Sequence, residues 1–584
     1  ELGTSMPEQH APLPLEIKGL RKSFARGKGR VEALRGVSLA LETGSVNALL
    51  GPDGAGKTTL IRLATGIMVP DEGSVAVLGM DSVGQAQDIQ SAIGYMPQRF
   101  GLYEDLSVQE NLDLYADLQG VGRDERGERY QSLMTMTNLA PFLDRLAGRL
   151  SGGMKQKLGL ACSLLKTPRF LLLDEPTVGV DPLSRRELWS IVDTLVRQDD
   201  ITVLVSTAYL DEAARCDQVF ILQEGELIGQ GTPDSFIKEA RGRTWRVTPE
   251  TTPRVVQSRL FGKPGIVDAT LESGRVRVVT RDADLPESLF REAGAEAPEA
   301  VDPVFEDGFM LLLNQGMEAA SPALKVNKAR GGGDGTAISV TDLERRFGDF
   351  YAVKGLTFSV ERGEIFGLLG PNGAGKSTTF RMLCGLLPAT GGTLEVGGLN
   401  LRRAAAKARK NLGYMAQKFS LYGQLSVIEN LDFFSKVYGL SGSRREERVQ
   451  WALDELDLAG QAETTSGELP FGFRQRLSLA CALMHEPDIL FLDEPTSGVD
   501  PLARRQFWAR INSLAEQGVT VVVTTHFMEE AEYCDRMLIM MAGELLAQGT
   551  PDEIRRFAGT DGHETIEKAF IALVEKRRAQ EKEG

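Results

Sequence analysis

GPDGAGKTTLIRL, beginning at Gly51, returns as GPNGAGKSTTFRM beginning at Gly370, and this repetition decides how the chain is read. The shift of 319 residues holds well beyond the glycine loop. IGYMPQRFGLYEDLSVQENL returns as LGYMAQKFSLYGQLSVIENL, with Gln98 and Gln417 again 319 positions apart. FLLLDEPTVGVDP returns as LFLDEPTSGVDP, and Asp174 and Asp493 keep the same separation. A constant spacing over so long a stretch marks a tandem repeat rather than a coincidence of short motifs. Even the cysteines follow it. Cys162 matches Cys481, and Cys216 matches Cys534 after a one-residue slip, which reads most simply as buried small apolar residues shared by both halves.

Each half alternates short β-branched runs with helical patterns, as βαβ units do. IFGLLG enters the second glycine loop and KSTTFRMLCGL leaves it as a helix. DILFLD and VTVVVTT are continuous apolar strands of the kind buried on both faces of a parallel sheet. The halves are not flush. The boundaries expected are a tail or expression scar over 1–14, a first repeat over 15–241, a small accessory α/β domain over 242–302, a helix and glycine-rich linker over 303–336, and a second repeat with a terminal helix over 337–584. TWRVTP, GIVDATLES and RVRVVTRD supply the strands of the accessory domain, with PRVVQSRLF and LPESLFREAG as its helices. FEDGFMLLLNQ resembles TIEKAFIALVEK near the C-terminus, so each half should end in a related helix. GMEAASPALKVNKARGGGDGT, small and polar, reads as a flexible linker.

The 584 residues correspond to about four domains at roughly 150 residues each. Acidic residues outnumber basic ones, 81 against 66, for a formal charge of −15. That balance argues against a protein built to grip a phosphate backbone, so no nucleic-acid partner is expected. No run approaches ~18 consecutive apolar residues, and ELGTSMPEQH lacks the basic and apolar regions of a signal peptide. Five cysteines without a C-x-x-C pattern propose neither a zinc site nor a disulfide framework, and a reducing compartment is expected.

A strand, then G-x-x-x-x-G-K-[ST], then a helix is a phosphate-binding loop. Its glycines let backbone N–H groups turn inward, and the helix N-terminus adds partial positive charge. The candidate nucleotide-binding residues are Gly51, Pro52, Asp53, Gly54, Ala55, Gly56, Lys57, Thr58 and Thr59 in the first loop. Gly370, Pro371, Asn372, Gly373, Ala374, Gly375, Lys376, Ser377 and Thr378 form the second. Lys57 and Lys376 suit the β- and γ-phosphates of ATP, with the Thr58 and Ser377 hydroxyls on Mg²⁺. The apolar strands ending in Asp174-Glu175 and Asp493-Glu494 would bring an aspartate beside the metal and leave a glutamate to polarise water. Two acids after an apolar strand can also be a mere solvated strand end.

LSGGMKQKLGLAC, starting at Leu150 and preceding LLLDEP, makes the resemblance specific. With the glycine loops, the glutamines and the Asp-Glu strands, it resembles the signature of ABC ATPases, and the order of motifs matches that family over most of the chain. The fold implied is α/β: two tandem ABC-type P-loop ATPase domains, each with a helical subdomain, plus the small α/β domain between them. The group resembled is the tandem ATP-binding subunit of bacterial ABC-2-type exporters. In that family two ATPs lie head to tail, each between one half's glycine loop and the other half's signature. Carried over, Ser151, Gly152 and Gly153 are signature contacts to nucleotide, and Gln98 and Gln417 sense Mg²⁺ and the membrane partner. Asp181 and Asp500 are D-loop residues at the interface, and Glu175, Glu494 and His526 are catalytic.

The halves depart from the family pattern unequally. STAYLDEA has Ala208 where TTHFMEEA has His526. Tyr351 stands 25 positions before Lys376, where an aromatic would stack on adenine, but the first half has Glu32 there, inside the longer KSFARGKGRVEAL. LSGG becomes LPFG, with Pro470 and Phe471 for Ser151 and Gly152. Under head-to-tail pairing every defect falls in one site, which implies one hydrolytic site and one mainly ATP-binding site.

The resemblance implies an ATPase driving two separately encoded ABC-2-type permeases for efflux, peripheral to the cytoplasmic face of the inner membrane, with a periplasmic adaptor as a further candidate partner. The segments after Gln98 and Gln417 would meet the permeases, and their likeness implies similar permease helices. The rival is a soluble tandem ABC ATPase acting on the ribosome, whose long, charged helical linker is not visible here.

Overall fold

The computed structural model describes residues 12–26, 29–98, 101–283, 287–314, 324, 335–417, 420–560 and 564–583. The N-terminal tail up to residue 11, and all of the glycine-rich linker except Leu324 and its last two residues, lie outside the described residues. By contacts the chain falls into two units, 1–178 with 185–235, and 179–184 with 236–584.

In the first unit a six-stranded sheet runs in the order Glu226–Gly231, Gln218–Gln223, Val46–Leu50, Thr202–Ser206, Phe170–Asp174, Ile93–Met96. All neighbours are parallel except the edge strand Glu226–Gly231. Val46–Leu50, Phe170–Asp174 and Thr202–Ser206 are buried at every position, which explains their unbroken apolar runs. A four-stranded antiparallel sheet, in which Leu15–Arg26 pairs with both Gly29–Leu41 and Glu72–Val77, shares a core with one face of it. The helices Val108–Leu118, Arg123–Thr137 and Gly152–Ser163 contact one another and form the helical part.

The second unit repeats this plan. Its six-stranded sheet places Ile365–Leu369 between Thr520–Thr524 and Arg536–Met541, with Ile489–Asp493 and Leu412–Met415 beyond. It also holds a second antiparallel sheet that the described residues of the first unit lack: Ile266–Glu272, Arg275–Thr280, Thr244–Val247, Glu299–Ala300. The helix Pro253–Leu260 of this accessory layer packs on the helix Pro501–Glu516. Arg505 on that long helix reaches Asp268 at 3.4 Å and Glu306. Arg254 meets Asp535 at 2.9 Å, and Asn512 donates to Gln257 at 3.1 Å. The terminal helix Ile566–Glu583 buries Ile566, Ala569, Phe570, Leu573 and Val574, the i, i+3, i+4 stripe of a helix with one face in the core.

All five cysteines are buried and unbridged. Among the described residues no helix is long and apolar enough to cross a membrane.

Candidate nucleotide sites

Ligands of parallel α/β sheets bind beyond the carboxyl ends of the strands, and both glycine loops leave such an end. Gly56 and Gly375, at φ +105 and +101, start the helices Lys57–Ala64 and Lys376–Leu383. A Cβ on either would lie 2.5 or 2.4 Å from the carbonyl of Ala33 or Ala352, so only glycine fits. Gly54 and Gly373, also left-handed, have nothing within 4 Å of a built Cβ and leave the cradle open. Inside it Lys57 donates from Nζ to the carbonyls of Gly51 (2.8 Å) and Pro52 (3.3 Å). Lys376 does the same to Gly370 (2.6 Å) and Pro371 (3.0 Å). Burial pulls the Lys376 ammonium down, opposed by Glu494.

The Asp-Glu strand lies one strand removed from each loop strand, with the strand leading to position 208 or 526 between them. Ser206 and Thr524 on that middle strand donate to Asp174 at 2.7 Å and Asp493 at 2.6 Å. The same hydroxyls accept the backbone N–H of Glu175 and Glu494, both at 2.9 Å. Glu175 and Glu494 sit at φ +51 and +46, left-handed backbone that costs a non-glycine residue about 1–2 kcal/mol. The same left-handed turn recurs in both halves.

Around the two glutamates the halves diverge. Glu175 accepts from Gln98 Nε2 at 2.5 Å and lies 3.7 Å from Lys57 Nζ. Burial pushes its carboxyl up, and Lys57 and Gln98 only partly offset this. Glu494 accepts from Gln417 Nε2 at 2.6 Å and has His526 Nδ1 at 3.2 Å. Burial also pushes Glu494 up, but the histidine, Lys376 and Gln417 outweigh it and hold the carboxyl below its ordinary value. His526 is 4 % exposed, and its Nε2 makes no hydrogen bond among the described residues. Ala208 occupies the matching place as a buried methyl.

Of the remaining candidates, Asp181 belongs with residues 179–184 to the second unit, and the others lie in the unit of their own half. Ser151 caps the helix Gly152–Ser163 by accepting from Met154 N at 3.3 Å, with Gly152 and Gly153 in its first turn. Pro470 precedes the helix Phe471–Leu483 without any side-chain cap, and the Arg474 guanidinium lies over the Phe471 ring. Asp500 caps the helix Pro501–Glu516 through Ala503 N at 3.0 Å, and Asp181 accepts from Ser184 N at 3.1 Å. Tyr351 is 39 % exposed beside its hairpin turn, with the Arg346 guanidinium 5.3 Å from its ring centre. Glu32 pairs with Ser23 at the corresponding strand position.

The donor set fits a magnesium–nucleotide pair. Thr58 Oγ1 lies 3.2 Å from Asp174 Oδ1, while Asp174 Oδ2 is buried with no hydrogen-bond partner. Among the described residues no cluster of three His, Cys, Asp or Glu side chains that could hold a metal ion exists.

Two glycine-loop sites with this strand order define an ABC-type ATPase. The ABC transporter family profile matches residues 34–178 and 353–497, and the chain belongs to the ATP-binding proteins of that family, which hydrolyse ATP and work with membrane permease components. It is 48% identical over 568 residues to the probable multidrug ABC transporter ATP-binding protein YbhF of Escherichia coli (strain K12), covering 96% of this chain and 97% of that one. The Nod factor export ATP-binding protein I of Burkholderia lata is 44% identical over 215 residues, 37% of this chain and 71% of that protein. A solved ATP-binding subunit of an ABC transporter is 31% identical and covers 41% of this chain and 100% of its own, with a TM-score of 0.39.

Sequence reading missed the hydroxyls of Ser206 and Thr524, which hold the Asp-Glu turns, and the buried glutamates Glu212 and Glu530. All four recur at one offset of 318 residues, a repeat signal available in the sequence itself.

Proposed function

We propose that this chain is the motor subunit of an exporter, in which ATP binding brings the two halves together and hydrolysis reopens them. It drives two separately encoded ABC-2-type permeases from the cytoplasmic face of the membrane, with a periplasmic adaptor as a further partner. Efflux is the direction suggested by relatives whose names specify multidrug transport and Nod factor export. The observation that carries the mechanistic part is the Glu494–His526 pair, which the first half lacks. Glu494, held ionised, takes the proton of the attacking water. Lys376 exchanges its loop carbonyls for phosphate oxygens, and His526, held through Nδ1 against Glu494, sits beside the γ-phosphate. Thr58 with Asp174, and Ser377 with Asp493, would hold Mg²⁺ near Gln98 and Gln417, where the ion neutralises phosphate charge. The first half keeps its cradle and lysine and binds ATP, but hydrolyses it slowly.

A groove in the first unit of about 540 Å³, bounded by Tyr95, Pro97, Tyr115, Gln119 and Lys166, is suited to a permease helix. It adjoins the segment after Gln98 that sequence reading assigns to that contact. The test is copurification of the full chain with six-span membrane proteins encoded beside it, and stimulation of its ATP turnover by them. Association with ribosomes instead, lost steeply with salt, would overturn the transport reading.

A further inference from the structure

Each half buries one glutamate four residues beyond the 208 or 526 position: Glu212 and Glu530, each 1 % exposed. In the second unit both oxygens of Glu530 are bridged. Thr525, which precedes His526, donates to Oε2 at 2.5 Å, and the hydroxyl of Thr496 donates to Oε1. Thr496 lies two residues beyond Glu494. The Thr525 hydroxyl in turn accepts the Phe527 N–H at 3.0 Å, and the Phe527 ring stacks on the His526 ring at 4.7 Å. Arg504 closes the group. Its Nε is 3.9 Å from Glu530 Oε1 and its guanidinium 3.9 Å from the centre of the Phe527 ring. Its Nη2 donates to the carbonyl of Val499 at 3.2 Å, next to Asp500. One carboxylate therefore ties the loop that follows Glu494 to the loop that carries His526.

The first unit has the same residue types but half the bridge. Thr207 donates to Glu212 at 2.5 Å, and Tyr209 N–H reaches Thr207 at 3.0 Å. No hydrogen bond joins Thr177 to Glu212: the Thr177 hydroxyl is buried without a hydrogen-bond partner. Burial, aided by Asp211, pushes the Glu212 carboxyl up. The half without a histidine is thus also the half in which this carboxylate does not tie the two loops.

We infer that Glu530, bridged by Thr496 and Thr525, is the positioning residue that holds His526 against Glu494 for hydrolysis, and that Glu212 does not do this in the first half. The inference rests on the hydrolytic reading of the second half. Its physical basis is that the 3.2 Å contact between His526 and Glu494 joins two loop ends. These leave adjacent parallel strands, whose ladder stops at Asp493 and Thr524. The Glu494 N–H still bonds to the Thr524 carbonyl at 3.0 Å; further out the Glu530 bridge joins the two loops, and a misplacement of about 1 Å at a reacting centre can cost roughly a hundredfold in rate.

The test is steady-state ATP turnover of the full chain for Thr496→Val, Thr496→Ser and Thr177→Val, with Glu494→Gln in parallel. Thr496→Val should lower kcat about ten- to a hundredfold while KM for ATP changes less than about threefold, because the bridge acts on the reacting pair rather than the phosphate cradle. Thr496→Ser, which keeps the hydroxyl, should restore most of the rate, and Thr177→Val should match the parent chain. Should Thr496→Val fold poorly, Glu530→Gln, which keeps the shape but loses the second acceptor, takes its place with the same expected split. Unchanged kcat in both bridge variants, a parallel rise in KM, or an equal loss in Thr177→Val would overturn the inference. Persistent turnover in Glu494→Gln would instead overturn the hydrolytic reading itself.

Discussion

Glu175 and Glu494 share their strand, their left-handed backbone and their glutamine partner, yet burial governs one and its neighbours govern the other. Desolvation acts on both carboxyls in the same direction. A single residue, His526 in place of Ala208, is the largest opposing influence on Glu494 and has no counterpart at Glu175. The lesson concerns how repeats diverge. A nucleotide cradle made of backbone tolerates drift in its surroundings, whereas a general base depends on the side chains that set its charge. On the proposed division of labour, binding outlasts catalysis in the same fold.

The sharpest way to break this contrast is Glu494→Gln against Glu175→Gln. A water-activating carboxylate acts mainly in the transition state, so Glu494→Gln should cut turnover about a thousandfold while ATP stays bound. Glu175→Gln should leave a substantial part of the rate. Steady-state phosphate release and trapped ATP per chain, with permeases present, measure both. Equal losses would mean that the two halves are equivalent or fully coupled.

Arg505 extends the contrast from chemistry to architecture, because it is buried between Asp268 and Glu306 whereas its counterpart Arg186 is exposed. Arg505→Met leaves both carboxylates of the accessory layer without their cation and should destabilise the second unit by about 3–5 kcal/mol. Arg186→Met, at an exposed position, should cost about 1 kcal/mol or less. Denaturant unfolding followed by Trp508 and Trp245, both in the second unit, reads the first effect.

His526→Ala tests the electrostatic origin of the difference. Turnover should fall about a hundredfold, the weaker end of the range for one lost preorganised donor. The pH profile is more telling. Glu494 must be ionised to accept a proton, and His526 holds its carboxyl below the ordinary range. Removing the histidine raises that value, so the acid limb of kcat should move to higher pH. A limb that stays in place would assign the loss to geometry alone.

The smallest effect belongs to the adenine end. Tyr351→Ala should weaken ATP binding to the second half by about three- to tenfold, the worth of one aromatic stack. Glu32→Tyr should strengthen the first half by no more than that. Fluorescent-nucleotide titration of each variant is sufficient.

Much of this was legible in the chain because its motifs are local. A glycine loop needs φ values that only glycine adopts freely, so GPDGAGKTT and GPNGAGKST announce their backbone directly. Buried parallel strands need unbroken apolar runs, so FLLLD and ILFLD announce theirs. The Glu530 bridge was illegible for the opposite reason. Thr496, Thr525 and Glu530 are common residue types at unremarkable spacing, and only the pairing of Ile489–Asp493 with Thr520–Thr524 brings them together. Thr177, Thr207 and Glu212 spell nearly the same pattern and do not close the bridge.

The sequence by itself determined the repeat, the two cradles, the loss of histidine at position 208 and the altered signature at Pro470 and Phe471, since each depends on residue identity within one short segment. Tertiary structure alone decided that the accessory layer joins the second unit rather than the first, through Arg505, Arg254 and Asn512. It alone decided, too, that His526 reaches Glu494, so that the two glutamates are displaced in opposite directions although burial raises both. Both outcomes turn on which side chains are packed against one another, a property of the folded neighbourhood and not of any stretch of chain.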